Sequence, residues 1–262
     1  MNRLLISLMA CVLAVLVQTP ARAADAPRLR VVGESFELSV GGRVLTTPDL
    51  IGAVFEIEDG GQPLTIRIDS VAYGEEQPKL PLLAISIRNL NTGGWVPFCQ
   101  PDAKGRRVGF PVAGRWTAKG RYEKDPENFF LTCTSGAQGK CILFGYDPWG
   151  HGPNGEDLDP FYEACTHMVR ADYAGVGAPN TRNGTLIDIY DIAGVQLTDT
   201  EMGAEYRFEA GWAPTGAVCV AKTRFENLLP LKVLLESRPD LGGTCDEAEA
   251  RRRGAIVFNR SK

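Results

Sequence analysis

Ala53-Val54-Phe55-Glu56-Ile57-Glu58-Asp59-Gly60-Gly61-Gln62-Pro63-Leu64-Thr65-Ile66-Arg67-Ile68-Asp69 sets the class of the whole chain. Its second arm alternates, with Ile66 and Ile68 on one face and Arg67 and Asp69 on the other, the period of a strand with one face buried. The Asp-Gly-Gly break between the arms supplies the positive backbone angles of a tight turn, so the stretch reads as a β-hairpin. The same grammar stands just upstream. Phe36, Leu38 and Val40 alternate into Gly41-Gly42, and Val44 and Leu45 resume after it. Downstream, Leu82 to Ile87, Phe129 to Cys133, Cys141 to Tyr146, Thr185 to Tyr190, Glu205 to Ala210, Val218 to Thr223 and Ala255 to Asn259 all read as strands, rich in β-branched and aromatic residues between turn formers.

Helices interrupt this pattern in few places. Pro160 to Ala171 is the clearest: Phe161, Ala164, Cys165, Met168 and Val169 share one helical face. Asp159 stands as its N-cap, Pro160 suits the first helical position, and Gly175 lies just beyond its end. Leu228 to Glu236 and Asp246 to Arg253 are weaker C-terminal helices. The expected fold is therefore α+β and predominantly β, antiparallel sheets packed against one short helix at about 160–171 and one or two C-terminal helices. A hairpin region over 24–95 precedes a domain over 96–262, and the two are readable as one domain.

The chain has 262 residues, 44% of them apolar and 23% charged, which suits an ordered globular protein and excludes collagen, coiled coil and bulk disorder. Its first 23 residues read as a signal peptide. Arg3 precedes the apolar run Leu4 to Val17, broken only by Ser7, and Ala21-Arg22-Ala23 is a small-x-small cleavage site, so cleavage is expected after Ala23. The rival lipoprotein reading, cleavage before Cys11, is disfavoured because the apolar run continues past that cysteine. No later segment approaches the roughly 20 apolar residues of a membrane helix. Without residues 1–23 the chain carries 26 basic and 32 acidic side chains, a formal charge of −6, which argues against nucleic acid. The one basic cluster, Arg251-Arg252-Arg253, reads as the last turn or polar face of a helix. An exported, periplasmic or extracellular protein is expected.

Six cysteines remain after cleavage: Cys99, Cys133, Cys141, Cys165, Cys219 and Cys245. An even number in an oxidising compartment predicts three disulfides. Cys133 and Cys141 flank a glycine-bearing turn, Thr134 to Lys140, and are expected to bridge it. No C-x-x-C is present and only His151 and His167 could ligate through imidazole, so neither zinc nor any other metal or cofactor is expected. Asp147, Asn154, Glu156, Asp157 and Asp159 make an oxygen-rich loop, but without the alternate spacing of an EF-hand, and it reads as a solvated acidic loop.

The densest cluster of unusual residues runs from Cys133 to Asp191. It includes Cys133-Thr134-Ser135-Gly136-Ala137, Gly145-Tyr146-Asp147-Pro148-Trp149, Cys165 and Met168-Val169-Arg170-Ala171-Asp172-Tyr173-Ala174-Gly175, and it closes with Asp188-Ile189-Tyr190-Asp191. This stretch resembles the ADYC-domain family of bacterial exported proteins, named for an Ala-Asp-Tyr-Cys motif behind a short Cys-x-x-Met-Val-Arg helix. The likeness extends more weakly from Asp49 to the C-terminus. The family's motif cysteine is Ala174 here, and if that cysteine normally forms a disulfide its partner should be missing too, in keeping with the even count of six. The resemblance implies export and a disulfide-bearing domain. It carries no reaction, so no catalytic residue transfers with it.

His167 lies one turn after Glu163 on the predicted helix, with Arg170 following and Asp172 and Tyr173 at the helix end, a set that suits acid–base work if a carboxylate orients the imidazole. The plainer reading pairs His167 with Glu163 and makes Asp172 and Tyr173 structural: a turn-binding aspartate and a tyrosine filling the space between helix and sheet. Asp188 and Asp191 are three apart on a strand and point to opposite faces, which opposes a catalytic pair. Ser135 lacks the preceding glycine of a nucleophile elbow. Trp95, Trp116, Trp149 and Trp212 read mainly as core. Two classes of function stay open: a non-catalytic binding protein for a protein, peptide or glycan, and an extracytoplasmic enzyme with a pocket at His167, Arg170, Asp172 and Tyr173. The residues favour the first.

Overall fold

The computed structural model describes residues 26–59, 61–75, 77–117 and 120–262. The expected signal peptide, with Cys11 and the cleavage site after Ala23, lies outside the described residues. The first sheet consists of β1 (Arg28–Val32), β2 (Ser35–Val40) and β3 (Arg43–Thr46), joined in sequence by two hairpins. Gly41 and Gly42, with φ of 56° and 75°, supply the left-handed pair that a two-residue turn of the right twist requires.

The second sheet is the largest. It takes β4 (Val54–Asp59), β5 (Gln62–Tyr73), β6 (Pro81–Arg88), β7 (Trp95–Pro97) and β8 (Gly109–Ala113), then β11 (Phe129–Cys133) after the small ribbon of β9 (Arg115–Trp116) and β10 (Tyr122–Glu123). The order is β11-β8-β6-β5-β4, with β7 also on β6, and all pairs are antiparallel. Ile66 and Ile68 are fully buried while Arg67 and Asp69 face outward, as the alternation predicts.

Two helices follow, α1 (Ala137–Leu143) and α2 (Asp159–Arg170), packed on each other. The third sheet, in the order β12-β15-β13-β14, comprises β12 (Asp188–Asp191), β13 (Arg207–Ala213), β14 (Gly216–Val220) and β15 (Val257–Ser261). Between β14 and β15 lie α3 (Leu231–Ser237) and α4 (Glu247–Arg252). Helix α2 packs against β13, β14 and β15, while α4 packs against β13 and β14 over a separate small core of Tyr190, Cys219, Ala250, Ala255 and Phe258. The main core is continuous from Val31 and Phe36 in the first sheet, through Phe110 and Met168, to Trp212 and Val257 in the third. Mostly antiparallel sheets, four helices among the described residues and three disulfides make this the expected α+β class.

Several expectations are corrected. The disulfides are Cys99–Cys133, Cys141–Cys165 and Cys219–Cys245, so Cys133 and Cys141 do not bridge their own loop. Cys133 ends β11 opposite Gly109, where an added Cβ would fall 2.9 Å from the Cys99 sulfur; the bare glycine lets the Cys99 loop reach that strand end. Residues from Cys141 begin no strand. They lie in α1, whose buried Gly139 and Ile142 follow helical spacing, and a Cβ at Gly139 would meet the Cys133 carbonyl at 2.3 Å. The helix turns Cys141 toward Cys165 on α2. Asp159 is the first residue of α2 rather than its cap, which is Leu158, and Pro160 sits in the first turn. The strand expected from Thr185 begins at Asp188, and the helix expected from Leu228 begins at Leu231, just past Pro230.

Candidate functional site

Helix α2 ends in a Schellman-type turn. Ala171 takes the left-handed conformation (φ 51°, ψ 42°), its N–H bonds the Met168 carbonyl, and the Asp172 N–H reaches back to His167. An alanine in this conformation costs about 1–2 kcal/mol relative to an ordinary one, and Ala171 is the one non-glycine residue with positive φ among the described residues. The side chains of Asp172 and Arg170 hold the turn closed against that cost.

Asp172 is fully enclosed. Its carboxylate accepts from the Val176 N–H at 3.1 Å and the Gly177 N–H at 2.7 Å, and lies 2.9 Å from Nδ1 of His167. Burial pushes its pKa up, but the hydrogen bonds from His167, Gly177 and Val176 outweigh it and leave the group below the ordinary carboxylate range. An ionised Asp172 assigns the proton to Nδ1 of His167, which leaves Nε2 buried with no partner among the described residues. Arg170 reaches across the same turn to the Gly177 carbonyl. The loop must then pass close to another strand: a Cβ on Gly175 would sit 1.9 Å from the Thr215 carbonyl oxygen, and its φ of 69° is one glycine prefers.

Tyr173 points the other way, into the space between α2 and the third sheet. Its ring stacks on Trp212 at 5.3 Å, and its hydroxyl donates to Glu209 Oε1 at 3.0 Å while accepting the Arg224 N–H at 2.6 Å. Burial, the Glu209 charge and the bond to Glu209 push its pKa well above the ordinary phenol, with Arg224 opposing. Glu209 and Arg224 form a two-point ion pair at 3.0 and 3.1 Å, with side chains 0% and 2% exposed. The remaining Arg224 donors cap α2: Nη2 donates to the Met168 carbonyl at 2.8 Å, and Nη1 to the Val169 carbonyl at 3.1 Å and Thr181 Oγ1 at 3.2 Å. A cation at the negative end of the helix dipole is favourable in addition to those bonds.

The four sequence candidates therefore share one helix end but not one open pocket. His167, Asp172 and Tyr173 are buried, and none of the four lines the cavity beside Arg224 or the one beside Trp149. The carboxylate that orients His167 is Asp172; the expected partner, Glu163, instead takes Arg121 through both oxygens, at 2.8 and 2.9 Å, and the Tyr122 N–H at 2.7 Å. Asp191 caps its own turn, accepting from four backbone N–H groups and the Tyr146 hydroxyl, and Asp188 pairs with Arg260 at 2.6 Å. The acidic loop disperses its charges, Asn154 onto Glu156 and Lys124 onto Asp159 at 3.1 Å. Among the described residues no cluster of three or more His, Cys, Asp or Glu could hold a metal ion.

Two features went unseen in the sequence. The Glu209–Arg224 pair had one faint signal, a glutamate inside the buried run Phe208-Glu209-Ala210-Gly211-Trp212, which calls for an internal partner. The other is a carboxyl pair. Glu34, in the β1–β2 turn, faces Asp147 in the loop after α1; burial, the Asp147 charge and a hydrogen bond to it push the Glu34 pKa from 4.5 to about 9. This shift favours the protonated Glu34 carboxyl beside Asp147, where the first sheet meets the α1–α2 loop.

On the outer side of Arg224 lies a cavity of about 270 Å³, lined by Thr185, Leu186, Tyr206, Phe225 and Lys262 with Arg224 itself as part of the floor. Tyr173, through the Arg224 backbone, and Glu209, through its guanidinium, hold that floor in place.

The fold and site define a disulfide-stabilised, antiparallel α+β protein whose signature motif is an internal fastening between a helix end and a sheet. The ADYC domain family model matches residues 47–226, and the chain belongs to this family. No curated protein and no solved structure matches the chain.

Proposed function

We propose that the chain is an exported, non-catalytic binding protein of the periplasm or extracellular space, made with a signal peptide over residues 1–23. Three disulfides are compatible with an oxidising compartment, and no helix among the described residues is long and apolar enough to cross a membrane. We read residues 24–95 and the remainder as one domain, on the strength of the continuous core that joins Phe36 to Trp212.

One observation carries the binding reading. The motif's polar groups are directed inward, Asp172 to its turn and Tyr173 to Glu209 and Arg224, and what they brace from behind is the floor of a cavity. An active site would present such groups to substrate within hydrogen-bond reach. The enzyme alternative draws on one fact, the His167–Asp172 pair at 2.9 Å, whose Nε2 has no partner among the described residues.

Native mass spectrometry of the chain purified from the exported fraction tests the proposal. A chain beginning at Ala24 that carries a small-molecule adduct, retained by a folded His167→Ala variant, supports it. A chain kept in the cytoplasm, or an adduct processed to product by the wild type and not by that variant, overturns it.

A further inference from the structure

We infer that the cavity over Arg224 is a binding site for a small organic monocarboxylate with an apolar or aromatic body; this rests on the binding reading above and names the ligand class for it. At about 270 Å³ the space is near the lower end of small-molecule sites. Its walls divide by chemistry. Leu186, Tyr206 and Phe225 offer apolar surface, and Leu186 is a large apolar side chain that stands 71% exposed.

The polar groups around it are predominantly cationic. The Lys262 ammonium stands 5.1 Å from the Tyr206 ring centre, and the Arg182 guanidinium 4.6 Å from that of Phe225. Behind them, Lys222 donates to Ser261 Oγ and to the Ser261 and Lys262 carbonyls. Burial holds its pKa down, with the Glu209 charge opposing and Arg207 and Arg224 adding to the shift. Glu209 is already bound to Arg224, and the Glu205–Lys262 bridge at 3.1 Å is exposed on both sides and weak. A carboxylate at the Lys262 and Arg182 rim would satisfy these charges while its body covers Leu186 and the rings. A neutral ligand gains no charge contact at this rim, and a cationic one is repelled.

Titration calorimetry on the full chain tests this with phenylacetate, its neutral amide, acetate and inorganic phosphate, on wild type and on Leu186→Asp and Lys262→Gln. Phenylacetate should bind, and the amide and acetate at least about tenfold more weakly, one for want of charge and the other of apolar contact. Leu186→Asp should weaken phenylacetate at least about tenfold with an unchanged melting temperature, since that side chain is exposed. Equal binding of the amide, phosphate binding as tightly as phenylacetate, or no phenylacetate binding at millimolar concentration overturns the inference. Native mass spectrometry of the Leu186→Asp protein separates the two readings. If phenylacetate fails but a natural adduct is lost in the variant, the cavity binds another chemistry and the binding reading stands. If neither phenylacetate nor any adduct binds the wild type, both fall.

Discussion

Replacing Glu34 with glutamine should stabilise this protein at neutral pH, and the size of the effect comes from the carboxyl pair. Burial and the facing Asp147 both oppose the Glu34 charge and push its pKa from 4.5 to about 9 on folding. A folded pKa above the unfolded one means the folded state holds the proton longer. The stability of the pair is therefore complete below about pH 4.5, falls as pH rises from there to about 9, and is level beyond. At 1.36 kcal/mol per pH unit, the loss by pH 7 is about 3 kcal/mol. Glutamine cannot ionise and retains an N–H donor for Asp147, so Glu34→Gln should match wild type near pH 4.5 and exceed it by about 3 kcal/mol at pH 7. Urea unfolding of both proteins with disulfides intact, at several pH values between 4.5 and 9, gives the difference directly and cancels every other titrating group. A difference that stays constant with pH, or a variant less stable than wild type at pH 8, would rule out a buried carboxyl as the origin of the effect.

Three further outcomes are expected from the same fold. Gly175→Ala should destabilise by roughly 3 kcal/mol or more, from left-handed strain and a 1.9 Å collision with the Thr215 carbonyl, and chemical denaturation will show it. Arg224→Met should cost about 3–5 kcal/mol by stranding Glu209 in the core, whereas the double variant Arg224→Met/Glu209→Leu should recover part of that loss; a double variant worse than the single one would contradict a charge-stranding origin. Replacing Cys141 and Cys165 with serine removes a link across a separation of 24 residues and should cost about 3 kcal/mol in a thermal or denaturant melt.

What the sequence made legible was local. The hairpin at Gly41-Gly42 and the arms around Ile66 and Ile68 came from period-two alternation, and α2 from its apolar face and Pro160. Helix α1 was hidden because Cys141-Ile142-Leu143-Phe144 has strand-like composition. Its state is imposed by the Cys165 bridge and by the contact of Gly139 with Cys133, neither of which is visible locally. The same holds for pairing. Spacing put Cys133 beside Cys141, yet sheet register delivers it to Cys99. At the motif, a turn-binding aspartate and a space-filling tyrosine were readable from residue type. The partners Glu209, Arg224 and Trp212 were not, because strands remote in sequence bring them together.

Amide hydrogen exchange on the folded protein tests most directly whether the Asp172–Tyr173 motif is an internal fastening. The Gly177 N–H bonds the Asp172 carboxylate and the Arg224 N–H bonds the Tyr173 hydroxyl. Both amides should exchange slowly in wild type, with Asp172→Asn releasing chiefly Gly177 and Tyr173→Phe releasing chiefly Arg224. Fast exchange of both in wild type, or variants that leave both rates unchanged, would show that the motif does not fasten the helix end to the sheet.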